Sequence, residues 1–250
     1  MSGHIQKSIF ISYRRTNAPW ALAIYQNLTL NGYDVFFDFN SIASGDFEQV
    51  ILENIKARAH LIIILTPSAL ERCDEPGDWL RREIETGIEY KRNIVPLMMD
   101  GFDYNNPSIK KYLTGKLVVL KNYNALRVPV EYFDEAMVRL REKFLNIPLD
   151  AVLHPVSKTA KEAVQVQQIA ANNTIQVDEK DLVAQRWFEW GNSASRTRHY
   201  ADAIEFYSET INIKPDFAEA YNNRAIVYYT NGDLENAMRD FNTPSTLILT

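Results

Sequence analysis

From Ser8 onward, short β-branched and aliphatic runs alternate with longer amphipathic stretches, the pattern of strand–helix units around a parallel sheet. The runs predict strands at Ser8–Ser12, Asp34–Phe37, Leu61–Leu65, Ile94–Met98 and Leu117–Leu120. Helices fit between and after them, at Pro19–Leu30, Phe47–Arg58, Trp79–Tyr90 and Glu131–Phe144. The strand runs are apolar on both faces, as a sheet with helices packed on each side requires. Asn31-Gly32 is placed to close the first helix, because Gly reaches the left-handed conformation cheaply, and Asp78 is placed to cap the third.

After Pro148 the periodicity fades into a Gln/Asn/Ala/Val stretch, 163–177, bounded by Pro155 and by Asp178-Glu179-Lys180-Asp181. Residues 148–182 therefore read as a linker with partial helical content. A second pattern begins near Ala184. Trp187 and Tyr221, Ala203 and Ala237, and Tyr207 and Phe241 are each separated by 34 residues, with large and small side chains alternating so that two helices can nest. Pro244 falls inside the expected second helix of the second unit, where proline removes a backbone donor and clashes with the preceding turn, so that helix is expected to be interrupted. The expected organisation is an α/β domain at 1–147, a linker at 148–182 and a small all-α segment at 184–250. One and a half units ending in Leu-Ile-Leu-Thr look like a fragment of a longer array, since such arrays generally bury a continuous core only with three or more units.

Composition narrows the functional class. The 250 residues are 46% hydrophobic and 24% charged, a globular balance. Lys+Arg 27 against Asp+Glu 32 leaves a net charge of −5, and the basic and acidic counts are 18 and 19 in residues 1–150 and 9 and 13 in the remainder, so neither part offers a basic nucleic-acid surface. The single cysteine, Cys73, has no intramolecular disulfide partner, and the first thirty residues lack the features of a signal peptide; a cytoplasmic protein is expected. The longest apolar runs, such as Leu61–Leu65, fall far short of the ~20 residues of a membrane span.

In an open parallel sheet, ligands bind beyond the carboxyl ends of the strands, near the point where strand order reverses. The loops to inspect are therefore Tyr13-Arg14-Arg15-Thr16, Asp38–Asp46 and Thr66–Asp78. None carries a G-x-G-x-x-G or G-x-x-x-x-G-K-[ST] motif, which argues against a Rossmann dehydrogenase and a P-loop NTPase. Thr66-Pro67-Ser68 stands where a phosphoacceptor domain needs Asp, no nucleophile elbow is present, and His4, His60, His154 and His199 lack metal-ligand spacing, so no metal is expected. The helix at Trp79–Tyr90, projected at ~100° per residue, sends Leu80, Ile84, Gly87 and Ile88 to the core and Arg81, Arg82, Glu85 and Glu89 to solvent. Trp79 and Glu83 fall on the border, one turn apart. Glu83 then reads either as an ordinary boundary carboxylate or as one partly desolvated by Trp79, with a raised pKa.

Taken together, Ile9-Phe10-Ile11-Ser12-Tyr13-Arg14-Arg15, Val35-Phe36-Phe37-Asp38, Ser44-Gly45-Asp46-Phe47, Trp79-x-x-x-Glu83 and Asn93-Ile94-Val95-Pro96-Leu97 resemble a TIR domain of the NAD-hydrolysing type over about residues 5–146. The period of 34 at 184–250 resembles the tetratricopeptide (TPR) repeat. The first resemblance implies a flavodoxin-like five-stranded parallel sheet. It matches Glu83 to the catalytic glutamate and Trp79 to its neighbouring tryptophan. Tyr13, Arg14 and Phe36 match positions lining the nicotinamide and ribose pocket, and the segment from Asp38 to Asp46 corresponds to the BB loop. In that family the loop shapes the pocket and joins neighbouring domains, so self-association controls activity. Phe36 ends a buried strand and reads equally well as a core residue; Arg14 or Arg15 could instead pair with Asp38 or Glu83.

The implied reaction is cleavage of the nicotinamide–ribose bond of NAD+, a substrate rather than a cofactor, to nicotinamide plus ADP-ribose or a cyclic isomer. Nicotinamide leaves as a neutral molecule, so no general acid is needed, and positive charge builds on the ribose as in glycoside hydrolysis. A single carboxylate in a low-dielectric site can stabilise that charge while aromatic faces stack on the leaving ring. The expected setting is bacterial defence or signalling, with homo-oligomers formed through TIR–TIR contacts, a protein or peptide on the TPR segment, and neither nucleic acid nor membrane as partner. The alternative is a non-enzymatic TIR/TPR scaffold.

Overall fold

The computed structural model describes residues 6–39 and 47–247, with side chains to residue 243. Five parallel strands, β1 (Ser8–Ser12), β2 (Asp34–Phe36), β3 (His60–Leu65), β4 (Asn93–Met99) and β5 (Leu126–Val128), form one sheet in the order β2-β1-β3-β4-β5. The order reverses between β1 and β3, which pair Phe10 with Leu61 and Ser12 with Ile63. The chain divides into two compact units at 177/178.

In the first unit the helices are α1 (Ala18–Leu30), α2 (Phe47–Ala57), α3 (Trp79–Glu89), α4 (Pro107–Lys110), α5 (Phe133–Arg139) and α6 (Lys158–Asn172). All six residues of β3 are buried, as a central strand covered on both faces must be. Alternation along the strands sends Phe10, Phe36, Leu61, Ile63 and Leu65 into one core with Ile51 and Ile55 of α2 and Leu80 and Ile84 of α3. α1 packs with α5, Trp20 lying 6.2 Å from Phe133. Gly87 lets α3 approach the sheet, because a Cβ there would lie 2.2 Å from Leu61 Cδ2. Gly32, at φ 77°, closes α1 in the left-handed region as the sequence implied.

The fifth strand lies elsewhere than predicted. Residues Leu117–Leu120 fall within a 3₁₀ helix, Gly115–Asn122, and the strand is Leu126–Val128. Leu117 and Leu120 are buried while Val118 is 42% exposed, so the burial repeats every third residue, the period of a 3₁₀ turn. Leu126 and Val128 are buried around exposed Arg127, the alternation of a short edge strand. The last predicted helix also divides, into α5 and a π-helical turn at Leu140–Phe144.

Within 148–182, α6 folds onto the first unit through Ala160, Val164 and Ala171, and Gln168 Nε2 donates 2.9 Å to Val35 O on the edge strand. The second unit comprises α7 (Glu179–Arg196), α8 (Tyr200–Ile213), α9 (Ala218–Thr230) and α10 (Leu234–Leu247). Tyr207 packs over Gly191, where a Cβ would lie 2.6 Å from its ring. α10 continues past Pro244 rather than breaking there.

Candidate functional site

Three consecutive residues leaving β1 tie together the loops at the carboxyl end of the sheet. Ser12, fully buried, donates its hydroxyl to Glu83 Oε2 on α3. Tyr13 donates its phenol to the backbone carbonyl of Asp38, 2.7 Å away, just beyond β2. Arg14 donates Nε to the Ala69 carbonyl at 2.6 Å and pairs through Nη1 with Asp78, in the segment between β3 and α3. This convergence follows from the strand order, because β1 lies between β2 and β3 where the sheet reverses direction.

Asp78 has two roles. Its Oδ1 accepts from the Arg81 amide at 2.9 Å and so caps α3, as the sequence implied, while Oδ2 pairs with Arg14. Cys73 is buried between them, donating to Asp78 Oδ1 at 3.4 Å and accepting from Arg14 Nη2 at 3.5 Å. Burial and then the Asp78 charge push its thiol up to about 12, which disfavours the thiolate that a nucleophile needs.

Glu83 is the chemically distinctive group. It is 9% exposed, and desolvation raises its pKa from the ordinary 4.5 to about 8. The Ser12 hydrogen bond and the Arg14 charge pull the other way, and the Asp38 and Asp78 charges reinforce the rise. The helical projection placed Glu83 on the border of α3, and the fold turns that border inward against the end of β1. Trp79, one turn earlier, is partly buried, with Phe47 edge-on at 4.9 Å and the Arg82 guanidinium 4.7 Å above its ring.

The structure brings Tyr13, Asp38 and Glu83 into mutual electrostatic range: both carboxylates act to raise the Tyr13 phenol, whose pKa is held high mainly by burial. Asp38 also pairs with Arg15, one of the pairings that the sequence left open. Arg14 is committed to Asp78. Phe36 is fully buried, edge-on to Phe10 at 5.5 Å and with Arg58 5.3 Å above its ring, which is the core reading of that residue. The remainder of the BB-loop segment, 40–46, lies outside the described residues. Sequence reasoning missed Ser12, and the available signal was a hydroxyl directly after the apolar run Ile9-Phe10-Ile11 of β1. It also missed the Arg14–Asp78–Cys73 cluster, which joins residues 64 positions apart. No group of metal-ligating side chains occurs among the described residues.

Residues 9–129 match the TIR domain family and residues 199–232 match the TPR repeat. The chain carries a TIR domain. Its five-stranded parallel sheet with flanking helices is followed by a helical segment containing a TPR repeat, and the matched repeat spans α8 and α9. The chain is 30% identical over 196 residues to NAD(+) hydrolase tir-1 of Caenorhabditis elegans, covering 77% of this chain and 18% of that protein. It is 30% identical over 142 residues to NAD(+) hydrolase SARM1 of Danio rerio, covering 55% of this chain and 19% of the relative. A third relative, photosystem I assembly protein Ycf3 of Prochlorococcus marinus, is 31% identical over 68 residues, 26% of this chain and 39% of that protein. The chain thus spans less than a fifth of the length of the two NAD(+) hydrolases. No described helix is long and apolar enough to cross a membrane.

Proposed function

We propose that the TIR domain is an NAD+ nucleosidase in which Glu83 stabilises the ribosyl cation. The observation that carries this reading is one buried carboxyl group, held by β1 where the strand order reverses, one helical turn from Trp79. The names of the relatives, NAD(+) hydrolases, support it. The substrate brings a positively charged nicotinamide ring, and a cation beside a desolvated carboxyl lowers its pKa, so substrate binding itself favours the ionised form that the reaction uses. As the bond to nicotinamide breaks, the positive charge moves from the ring nitrogen to the ribose, where Glu83 stabilises it and accepts hydrogen bonds from the ribose hydroxyls. The aromatic side chain of Trp79 supplies an apolar wall and Tyr13 a polar contact. Arg14 acts indirectly, through the Asp78 cap that fixes the start of α3.

Capture of the ribosyl cation by water gives ADP-ribose; capture by an adenine nitrogen gives a cyclic isomer. TIR–TIR association completes the site, and the TPR segment gathers or separates the domains through a protein partner, in a cytoplasmic defence or signalling role.

The test is release of nicotinamide from NAD+ by the full chain over a wide range of protein concentrations, with Glu83→Ala alongside and products separated by chromatography. We expect turnover that rises faster than linearly with protein and falls by at least about 100-fold in the variant, as for loss of a central electrostatic group. Turnover unchanged in Glu83→Ala removes that residue from the mechanism. No turnover at any concentration, clustered chains included, leaves the scaffold reading.

A further inference from the structure

We propose that Ser12 is a positioning residue for Glu83, its hydroxyl fixing the carboxyl group through Oε2 so that Oε1 is presented to the ribose. This inference rests on the nucleosidase reading above and assigns a role within that site.

The geometry supports a dedicated contact. Ile9, Phe10 and Ile11 are buried apolar residues, and the strand then ends on a fully buried hydroxyl. β1 is paired on both sides, with β2 and with β3, and Ser12 itself pairs with Ile63 of β3, so its hydroxyl is mounted on a backbone held inside the sheet. Glu83 sits on a helix whose start is separately fixed by Asp78. Ser12 therefore joins two rigid elements across 71 residues of sequence through one hydrogen bond to the group that carries the charge. A serine hydroxyl has one proton to give, and a bond from it to a carboxylate oxygen favours the ionised acid.

The groups facing Glu83 allow its titration to be isolated. Asp38, beyond β2, pairs with Arg15; Asp78, before α3, pairs with Arg14; and burial holds the Tyr13 phenol well above its ordinary value. Loss of the Ser12 hydroxyl removes the largest influence opposing the upward shift of Glu83.

The experiment uses the full chain with carbon-13 at the glutamate carboxyl carbons, the Glu83 signal being the one that Glu83→Gln deletes. Ser12→Ala should move the Glu83 midpoint upward by about one to two pH decades, the size of a hydrogen bond to a charged group. The acid limb of kcat/KM for nicotinamide release should move with it. Ser12→Cys, close to serine in size but a weaker donor, should give a smaller upward move and provides the same reading if the alanine variant does not fold. An unmoved Glu83 midpoint in folded Ser12→Ala or Ser12→Cys overturns the proposal. With active wild type, an acid limb that stays fixed in Ser12→Ala or Ser12→Cys overturns the role of Ser12 in the reaction alone. Wild-type chain that titrates at Glu83 but releases no nicotinamide overturns the nucleosidase reading, and the positioning role with it.

Discussion

Glu83→Gln should make the TIR unit more stable at alkaline pH and leave it nearly unchanged at acidic pH. Glutamine keeps the size and the hydrogen-bonding oxygen of the protonated acid but cannot ionise. The folded-state pKa of Glu83 is raised to about 8 from an ordinary 4.5, so between those values the native state holds a proton that the unfolded chain has released. Below pH 4.5 both states are protonated and the group has no pH-dependent effect. As pH rises from 4.5 through 8 the native state becomes progressively less stable, because the buried acid must either keep its proton or ionise away from water. At ~1.36 kcal/mol per pH decade the full window is worth on the order of 5 kcal/mol, and relaxation around the ionised group reduces that, so a gain of about 2–5 kcal/mol is expected for Glu83→Gln at pH 8.5. The assay is urea unfolding of the full chain at half-unit pH intervals, followed through the methyl signals of Ile62 and Ile64, which report on β3 and hence on the first unit alone. Subtracting the wild-type curve from that of the variant cancels every other titrating group common to both. A difference that stays flat from pH 5 to pH 9, or a variant less stable than wild type at pH 8.5, would refute the assignment of Glu83 as a buried, proton-retaining acid.

The other perturbations probe what holds the site in place. Gly87→Ala puts a methyl 2.2 Å from Leu61 Cδ2, so α3 or β3 must shift; a loss of about 1–3 kcal/mol is expected in the same unfolding assay, as for overpacking elsewhere. Asp78→Ala removes the α3 cap and leaves the largely buried Arg14 guanidinium without its carboxylate, which should cost about 3–5 kcal/mol. Asp78→Asn keeps a capping oxygen and should recover about 1 kcal/mol of that loss, checked by urea midpoints measured in parallel.

Much of the architecture was legible from local pattern because its causes are local. β1 was predicted at its observed bounds, and α1, α2, α3, β2, β3 and β4 to within a residue or so at each end, since apolar runs bounded by turn residues act over a few positions. The 34-residue period, with large and small side chains alternating, predicted two nested helices, and the structure nests them with Tyr207 over Gly191, because a repeat unit buries its own pair of helices. The misplaced fifth strand shows where this reasoning fails. Leu117-Val118-Val119-Leu120 has strand composition, but its buried residues are three apart and it packs beside α3, whereas Leu126–Val128 is too short to stand out. α6 was similarly faint, because its buried face at 160, 164, 167 and 171 keeps helical spacing but is made of two alanines, one valine and a glutamine, which stand out little from the polar sequence around them.

The candidate site divides along the same line. Sequence alone determined that a tryptophan and a glutamate stand one turn apart near the start of the third long helix, on its border face, since that depends only on the 3.6-residue period. Whether the border faces water or protein depends on strand order, which no local pattern encodes. Placing β1 beside β3 brings Ser12 against Glu83, removes the carboxyl group from solvent and raises its pKa. The same arrangement directs Arg14 to Asp78 and Arg15 to Asp38, two pairings that compete for adjacent guanidinium groups and are decided by the direction each side chain takes as it leaves the strand. Local chemistry supplied the acid; desolvation by elements distant in sequence made it an unusual one.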